Sequence, residues 1–111
     1  SSGNSFVHET ESQMILNGSR DISFTMDLVL KDIGLFQSIA DEVGVPLEMN
    51  PLMIDIFRDA AERYGEREWS DNVIRRLEDA TGISVVAPGF PDVLVDDEPE
   101  ERGAEIVVRR A

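Results

Sequence analysis

The amino-acid sequence predicts an all-α fold, a small multi-helix bundle followed by an extended acidic C-terminal tail. Three segments, residues 24–43, 51–64 and 71–81, place apolar side chains at the three- and four-residue spacing of an amphipathic helix. Each segment follows a residue type that commonly caps helices and ends at a glycine. The spacing stops near residue 83. We therefore predict a helical domain over residues 1–91 and an extended acidic tail over residues 92–111.

The longest predicted helix covers residues 24–43. Asp21 and Ser23 are both suitable N-cap residues, since their side chains can accept hydrogen bonds from the first free backbone N–H groups. Gly44 supplies the C-terminal glycine, and Pro46 prevents the helix from continuing. Twenty residues would span about 30 Å, and we expect a central helix with neighbours on two sides.

The second predicted helix covers residues 51–64. Asn50 is the expected N-cap, and Pro51 occupies the first turn, where its missing N–H does no harm. Asp59 and Arg63 stand four residues apart and should form an ion pair on the helix surface.

The third predicted helix covers residues 71–81, with Ser70 as its expected N-cap. Four-residue spacing predicts that Asp71 pairs with Arg75, and Arg75 with Asp79, on the outer surface. All three charged side chains are thus expected in solvent.

The two ends of the chain carry weaker signals. Residues 5–17 show a faint helical pattern that ends at Gly18. Residues 92–105 contain seven acids and one arginine, and residues 106–108 are typical of a short strand. We expect the tail to be a partly extended appendage.

Composition excludes several classes of function. The 23 acidic and 10 basic residues give a formal net charge of −13, which repels nucleic-acid phosphates and anionic membranes. The chain has no cysteine, and its single histidine, His8, cannot form a metal site alone. No apolar run approaches the roughly 20 residues of a membrane span, and no signal peptide is recognisable. We expect a cytoplasmic protein that binds no metal, nucleic acid or membrane.

Asp32 is the main anomaly of the longest helix. Advancing about 100° per residue from Phe24 places ten apolar side chains in an arc of about 200°, with Asp32 near 80° and Asp27 near 300°. We therefore predict that Asp32 is buried and accepts a hydrogen bond, whereas Asp27 is exposed. From the residues alone, Asp32 is either a structural aspartate bound to a neighbouring helix or arginine, or part of a functional site.

Lys31 lies at the edge of the same arc, near 340°, where its stem can cover apolar neighbours while its ammonium reaches outward. Its plain interpretation is a surface pair with Asp27, four residues earlier. Its scarcity favours a special role, because it is the only lysine in the chain.

The sequence around these residues resembles the β-hydroxyacid dehydrogenases, which include 3-hydroxyisobutyrate dehydrogenase and tartronate semialdehyde reductase within the 6-phosphogluconate dehydrogenase superfamily. Residues 24–35, FTMDLVLKDIGL, are similar to the family's F-x-x-x-L-x-x-K-D-L-x-L block. Residues 40–47, ADEVGVPL, match its A-x-x-x-G-x-P-L stretch. Residues 60–70 and the opening Ser-Ser-Gly resemble further family segments, so that the resemblance covers roughly residues 1–91.

The resemblance implies that this chain is the helical C-terminal domain of a larger enzyme. A Rossmann domain and a helix bearing the catalytic lysine would lie upstream, so we expect no catalytic residue here and no activity of these residues alone. By the same resemblance, Lys31 contacts an NAD or NADP cofactor, and Phe24 and Asp32 line or support the cleft. The expected partners are the Rossmann domain, a small hydroxy acid and a second subunit.

The function expected from the sequence is therefore that of a cleft-closing and dimerisation domain of an oxidoreductase acting on small 3-hydroxy acids. The alternative is a helical interaction or dimerisation module without chemistry. An upstream dinucleotide-binding domain in the same polypeptide would distinguish the two. The chain itself has no G-x-G-x-x-G sequence.

Overall fold

The structure is a computed structural model, and it describes residues 2–94. These residues form four α-helices and no strand, which confirms the all-α prediction for this part of the chain. The α-helices are α1 (Phe6–Leu16), α2 (Met26–Val43), α3 (Asn50–Tyr64) and α4 (Arg75–Thr81). A 3₁₀ helix, Ser70–Ile74, runs directly into α4. None of the helices in the described range is long and apolar enough to cross a membrane.

Helix α2 begins later than the sequence predicts. Asp21 and Ser23 were the expected N-caps, but the first helical residue is Met26, and Thr25 takes the N-cap position in extended backbone. An isolated antiparallel bridge between Thr25 and Trp69 holds residues 24–25 extended, because it ties them to the segment before the 3₁₀ helix. The predicted end is confirmed, with Gly44 in the left-handed conformation at φ 74°.

Helix α3 has nearly the predicted bounds, but Asn50 has a different role. It is the first residue of the helix, and its side chain does not cap it. The amide instead donates hydrogen bonds to the Ile33 carbonyl at 3.0 Å and to Gln37 Oε1 at 3.1 Å, both on α2. Asn50 is thus a buried polar link between α2 and α3. The predicted Asp59–Arg63 ion pair is present at 3.2 Å.

The third predicted helix is divided into the 3₁₀ helix and α4. Trp69, not Ser70, takes the N-cap position, and Ser70 is buried with its backbone N–H donating to the Phe24 carbonyl at 2.7 Å. The predicted surface pairs of Arg75 with Asp71 and Asp79 are absent from the described residues. Arg75 stacks over the ring of Tyr64 at 4.3 Å, and Asp79 accepts a hydrogen bond from the Tyr64 hydroxyl.

The apolar core of residues 2–94 is thin. Only Met14, Met26, Ala40 and Ala60 are fully buried apolar residues there. Helices α2 and α3 make the most extensive contact between elements, and the 3₁₀ helix contacts α1, α3 and α4. So thin a core in a domain of this size leaves much apolar surface uncovered.

The acidic tail is tested only at its start. Residues 92–94 are exposed and have no regular structure. The predicted strand at 106–108 and most of the predicted tail lie outside the described residues, and the division at residue 91 remains a prediction.

Candidate functional site

The candidate site is the face of α2 that carries Lys31 and Asp32, together with Phe24 before the helix. Both charged residues are exposed, and Phe24 is half-buried. The expectation that Asp32 is buried is therefore wrong for this chain. No ion pair within residues 2–94 includes Asp32 or Lys31.

The error about Asp32 has a simple geometric cause. The broad apolar arc of α2 is present, but only the part around Met26, Ile33 and Ala40 is covered, and Asn50 of α3 binds the Ile33 carbonyl there. The remaining part, which we call the open face, surrounds Asp32 and is uncovered in residues 2–94. Its apolar side chains are between 41% and 66% exposed: Leu28, Leu35, Phe36, Ile39 and Val43. Helical spacing defines the direction of a side chain but not what packs against it.

Asp27 is more enclosed than Asp32, which reverses the predicted contrast. Its carboxylate accepts hydrogen bonds from the Thr25 hydroxyl and from the Leu28 N–H at 3.0 Å, and it contacts Arg67 at 3.4 Å. The hydrogen bond from Thr25, more than the backbone bond and the charge of Arg67, lowers the pKa of Asp27. Asp27 thus stays ionised and holds the first turn of α2.

These contacts of Asp27 also show whether Lys31 forms the predicted surface ion pair. The predicted surface pair between Lys31 and Asp27 does not form, because Asp27 is engaged by Thr25 and Arg67. The Lys31 side chain is left exposed at the edge of the open face. A cation in that position can bind an anionic group that approaches from outside the helix pair.

The start of α2 is fixed relative to this face by several backbone hydrogen bonds. The N–H groups of Met26 and Asp27 donate to the carbonyls of Glu68 and Glu66, each at 2.9 Å. Together with the bond between Ser70 and Phe24, they hold the chain before α2 against the chain before the 3₁₀ helix. These hydrogen bonds therefore fix the position of Phe24 and of the helix start that leads to Lys31.

An open groove of about 500 Å³ adjoins the open face at the junction of α2 and α3. It is lined by Phe36, Pro46, Leu47, Glu48, Met49, Asn50 and Met53. Phe36 belongs to both the groove and the open face, so the two form a continuous, largely apolar surface. Within residues 2–94 there is no group of three or more His, Asp or Glu side chains that could hold a metal ion.

Comparison with known proteins assigns a family. Residues 1–77 match the family model described as NAD-binding of NADP-dependent 3-hydroxyisobutyrate dehydrogenase. The chain belongs to the β-hydroxyacid dehydrogenase family. It is 36% identical over 86 residues to 2-(hydroxymethyl)glutarate dehydrogenase of Eubacterium barkeri, an alignment that covers 77% of this chain and 29% of that protein. The chain thus spans less than a third of that relative. No solved structure matches it.

Membership of the β-hydroxyacid dehydrogenase family confirms the resemblance read from residues 24–47. The matching family model is described as NAD-binding, and the relative is a dehydrogenase. The matched region includes α2 with Phe24, Lys31 and Asp32.

Sequence reasoning missed a second cluster of charged side chains. Asp71, predicted to lie on the surface, is only 2% exposed. Around it stand Glu11 from α1 and Arg20 from the segment before α2, and Arg20 is bound to Glu78 of α4 at 2.7 Å. No helical spacing within one element could reveal this cluster, because its members come from four separate segments.

Proposed function

We propose that this chain is the helical C-terminal part of an NAD(P)-dependent dehydrogenase of small 3-hydroxy acids, and that its open face closes a cofactor cleft. The observation that carries the proposal is the exposed Lys31, which has no ion-pair partner within residues 2–94 and lies in the region matched by an NAD-binding family model. The 29% coverage of the dehydrogenase relative supports a longer parent polypeptide.

In this proposal Lys31 binds an anionic group of the cofactor, and Phe24 supplies apolar surface beside it. Asp32 lies on the open face among apolar side chains, where it would be desolvated once another domain covers that face. A carboxylate in such an interface needs a donor from the covering surface, since burial without a partner is costly. Asp32 is therefore proposed to orient the covering domain. The hydride and proton transfers are assigned to groups outside these residues.

Two arms test the proposal. In the open reading frame that encodes this chain, we expect an upstream dinucleotide-binding domain. A reading frame without one would contradict the proposed dehydrogenase function. In the full-length enzyme, Lys31→Ala should raise the KM for the nicotinamide cofactor about 10- to 100-fold, because losing one charge-assisted contact costs about 1.5–3 kcal/mol. Steady-state kinetics with NAD and NADP would measure it.

Controls separate cofactor binding from general damage. Lys31→Arg keeps the charge and should retain part of the affinity, whereas Arg58→Ala, at an exposed site on α3, should leave the KM unchanged. The 111 residues alone should show no turnover with any hydroxy acid. An unchanged cofactor KM in Lys31→Ala would count against the assigned role of Lys31.

The open face also favours a second candidate function, a helical dimerisation module. Contiguous apolar patches of this kind seldom stay bare on monomeric proteins. We expect the isolated chain to self-associate with rising concentration, as measured by light scattering. Ile39→Glu should weaken association, whereas Ser38→Glu, on another side of α2, should not. A clean monomer mass at high concentration would contradict the expectation.

A further inference from the structure

The segment that follows α4, residues 83–91, lies against the end of α1, and we call it the strap. It contains no charged residue, although charged residues make up 30% of the chain and acids resume at Asp92. The match to the family model ends at residue 77, so the strap lies beyond the matched region. The proposed cofactor role of α2 therefore does not account for the strap.

Two hydrogen bonds join the strap to the end of α1. The Ala87 N–H donates to the carbonyl of Leu16, the last residue of α1, at 2.9 Å. The Asn17 side-chain amide, at the C-cap of α1, donates to the Pro91 carbonyl at 2.9 Å. The last carbonyls of a helix have no partner within the helix, and a buried helix end is unfavourable without one. The strap supplies such a partner to α1 from a distant part of the sequence.

The first half of the strap is fixed on both sides. The Val86 side chain lies over Gly18, where an added Cβ would be 3.5 Å from it. The Val85 N–H donates to the Glu78 carboxylate at 2.7 Å, and the same carboxylate binds Arg20 at 2.7 Å. Glu78 therefore connects α4, the strap and the segment that follows α1.

Helix α1 has few other attachments among residues 2–94. Its one extensive contact with another helical element is with the 3₁₀ helix. Of the four fully buried apolar residues, Met14 alone belongs to α1, and the other three lie in α2 and α3. Phe6 and Val7, at the start of α1, are 64% and 56% exposed. An element that buries so little apolar surface opens more readily than the core of a domain.

We propose that the strap keeps α1 docked on the 3₁₀ helix, and that α1 leaves as a unit when the strap contacts open, while the α2–α3 pair stays folded. The contacts of the strap and the packing of Met14 hold the same short helix, so the loss of either weakens the other. The α2–α3 pair has the most extensive contact between elements and its own buried link through Asn50, neither of which involves the strap. Such partial opening costs less free energy than global unfolding.

Amide hydrogen exchange of the 111-residue chain tests the strap, with every substitution placed outside α1. Ala87→Pro removes the N–H that binds Leu16 and should lower the protection factors of the α1 amides at least about fivefold, because less interaction then opposes their opening. Asp92→Pro is the matched control. The Asp92 N–H donates no hydrogen bond within residues 2–94, so this variant should retain the α1 protection of the unsubstituted chain.

A milder pair of variants makes the test independent of how well the strap tolerates proline. Val86→Ser removes apolar contact over Gly18 and should lower α1 protection about threefold. Val93→Ser, at a residue that is 71% exposed, should leave it unchanged. In all four variants we expect the protection factors of the α2–α3 pair to stay at the values of the unsubstituted chain.

Two results would overturn the proposal. One is unchanged α1 protection in both Ala87→Pro and Val86→Ser, which would show that the strap does not hold α1. The other is an equal loss of protection in α1 and in the α2–α3 pair, which would show that α1 does not open as a separate unit. Because these measurements use the chain without cofactor, their outcome does not depend on the dehydrogenase proposal.

Discussion

Replacing Arg20 by alanine is expected to lower the stability of the folded chain strongly. The side chains of Arg20 and Glu78 retain only 12% and 15% exposure, and their contact distance is 2.7 Å. Breaking a buried ion pair from one side commonly costs about 3–5 kcal/mol, because the remaining charge is left without compensation. In this chain the substitution also removes the positive charge of Arg20 that attracts the buried Asp71.

We expect Arg20→Ala to cost about 3 kcal/mol, which lowers the melting temperature of a domain this small by roughly 10–20 °C. Thermal denaturation followed by circular dichroism would measure it. The matched control is Arg63→Ala, which removes an arginine from an exposed i,i+4 ion pair on α3 and should leave the melting temperature nearly unchanged. Equal melting temperatures for the two variants would show that the buried bridge contributes little.

The second large effect is expected at Met26. This residue is fully buried at the first turn of α2, where the start of the helix lies against the chain before the 3₁₀ helix. With only four fully buried apolar residues in the described range, each one supplies a large part of the core. Truncating a buried methionine removes favourable burial and leaves a cavity that the surroundings fill only partly.

Met26→Ala should therefore cost about 2–5 kcal/mol in the free energy of unfolding, measured by urea denaturation at neutral pH. The same substitution at Met49, which is 75% exposed beside the groove, is the control and should change the free energy by no more than about 0.5 kcal/mol. If Met26→Ala and Met49→Ala had the same urea midpoint, the core would be assigned wrongly.

The ends of the helices divide clearly into those that local chemistry decides and those that it does not. Gly44 and Gly82 end α2 and α4 as predicted, because only a residue without Cβ takes the left-handed conformation at no cost. The start of α2 was wrong by two residues. Asp21 and Ser23 have suitable side chains, but the hydrogen bonds to Glu66 and Glu68 keep the following residues extended.

The candidate site shows the same division. The family block around Lys31 was readable from the sequence, because the identity and spacing of its residues are local properties. The burial of Asp32 was not readable, since the α2 sequence has one broad apolar arc and does not say which part α3 covers. The burial of Asp71 was missed as well. Helical spacing within its own segment places the side chain on the outer surface, but α1 packs against that segment.

By itself, the sequence determined the helical class, the approximate extent of α2 and α3, and the β-hydroxyacid dehydrogenase family. These follow from the periodicity, the terminating glycines and a motif, all of which depend on residues close together in the chain. Only the tertiary structure decided which face of α2 is open, which partner Asp27 takes, and that Glu11, Arg20, Asp71 and Glu78 form one cluster. The physical reason is that burial and charge pairing depend on distances between segments far apart in the chain, which helical spacing does not encode.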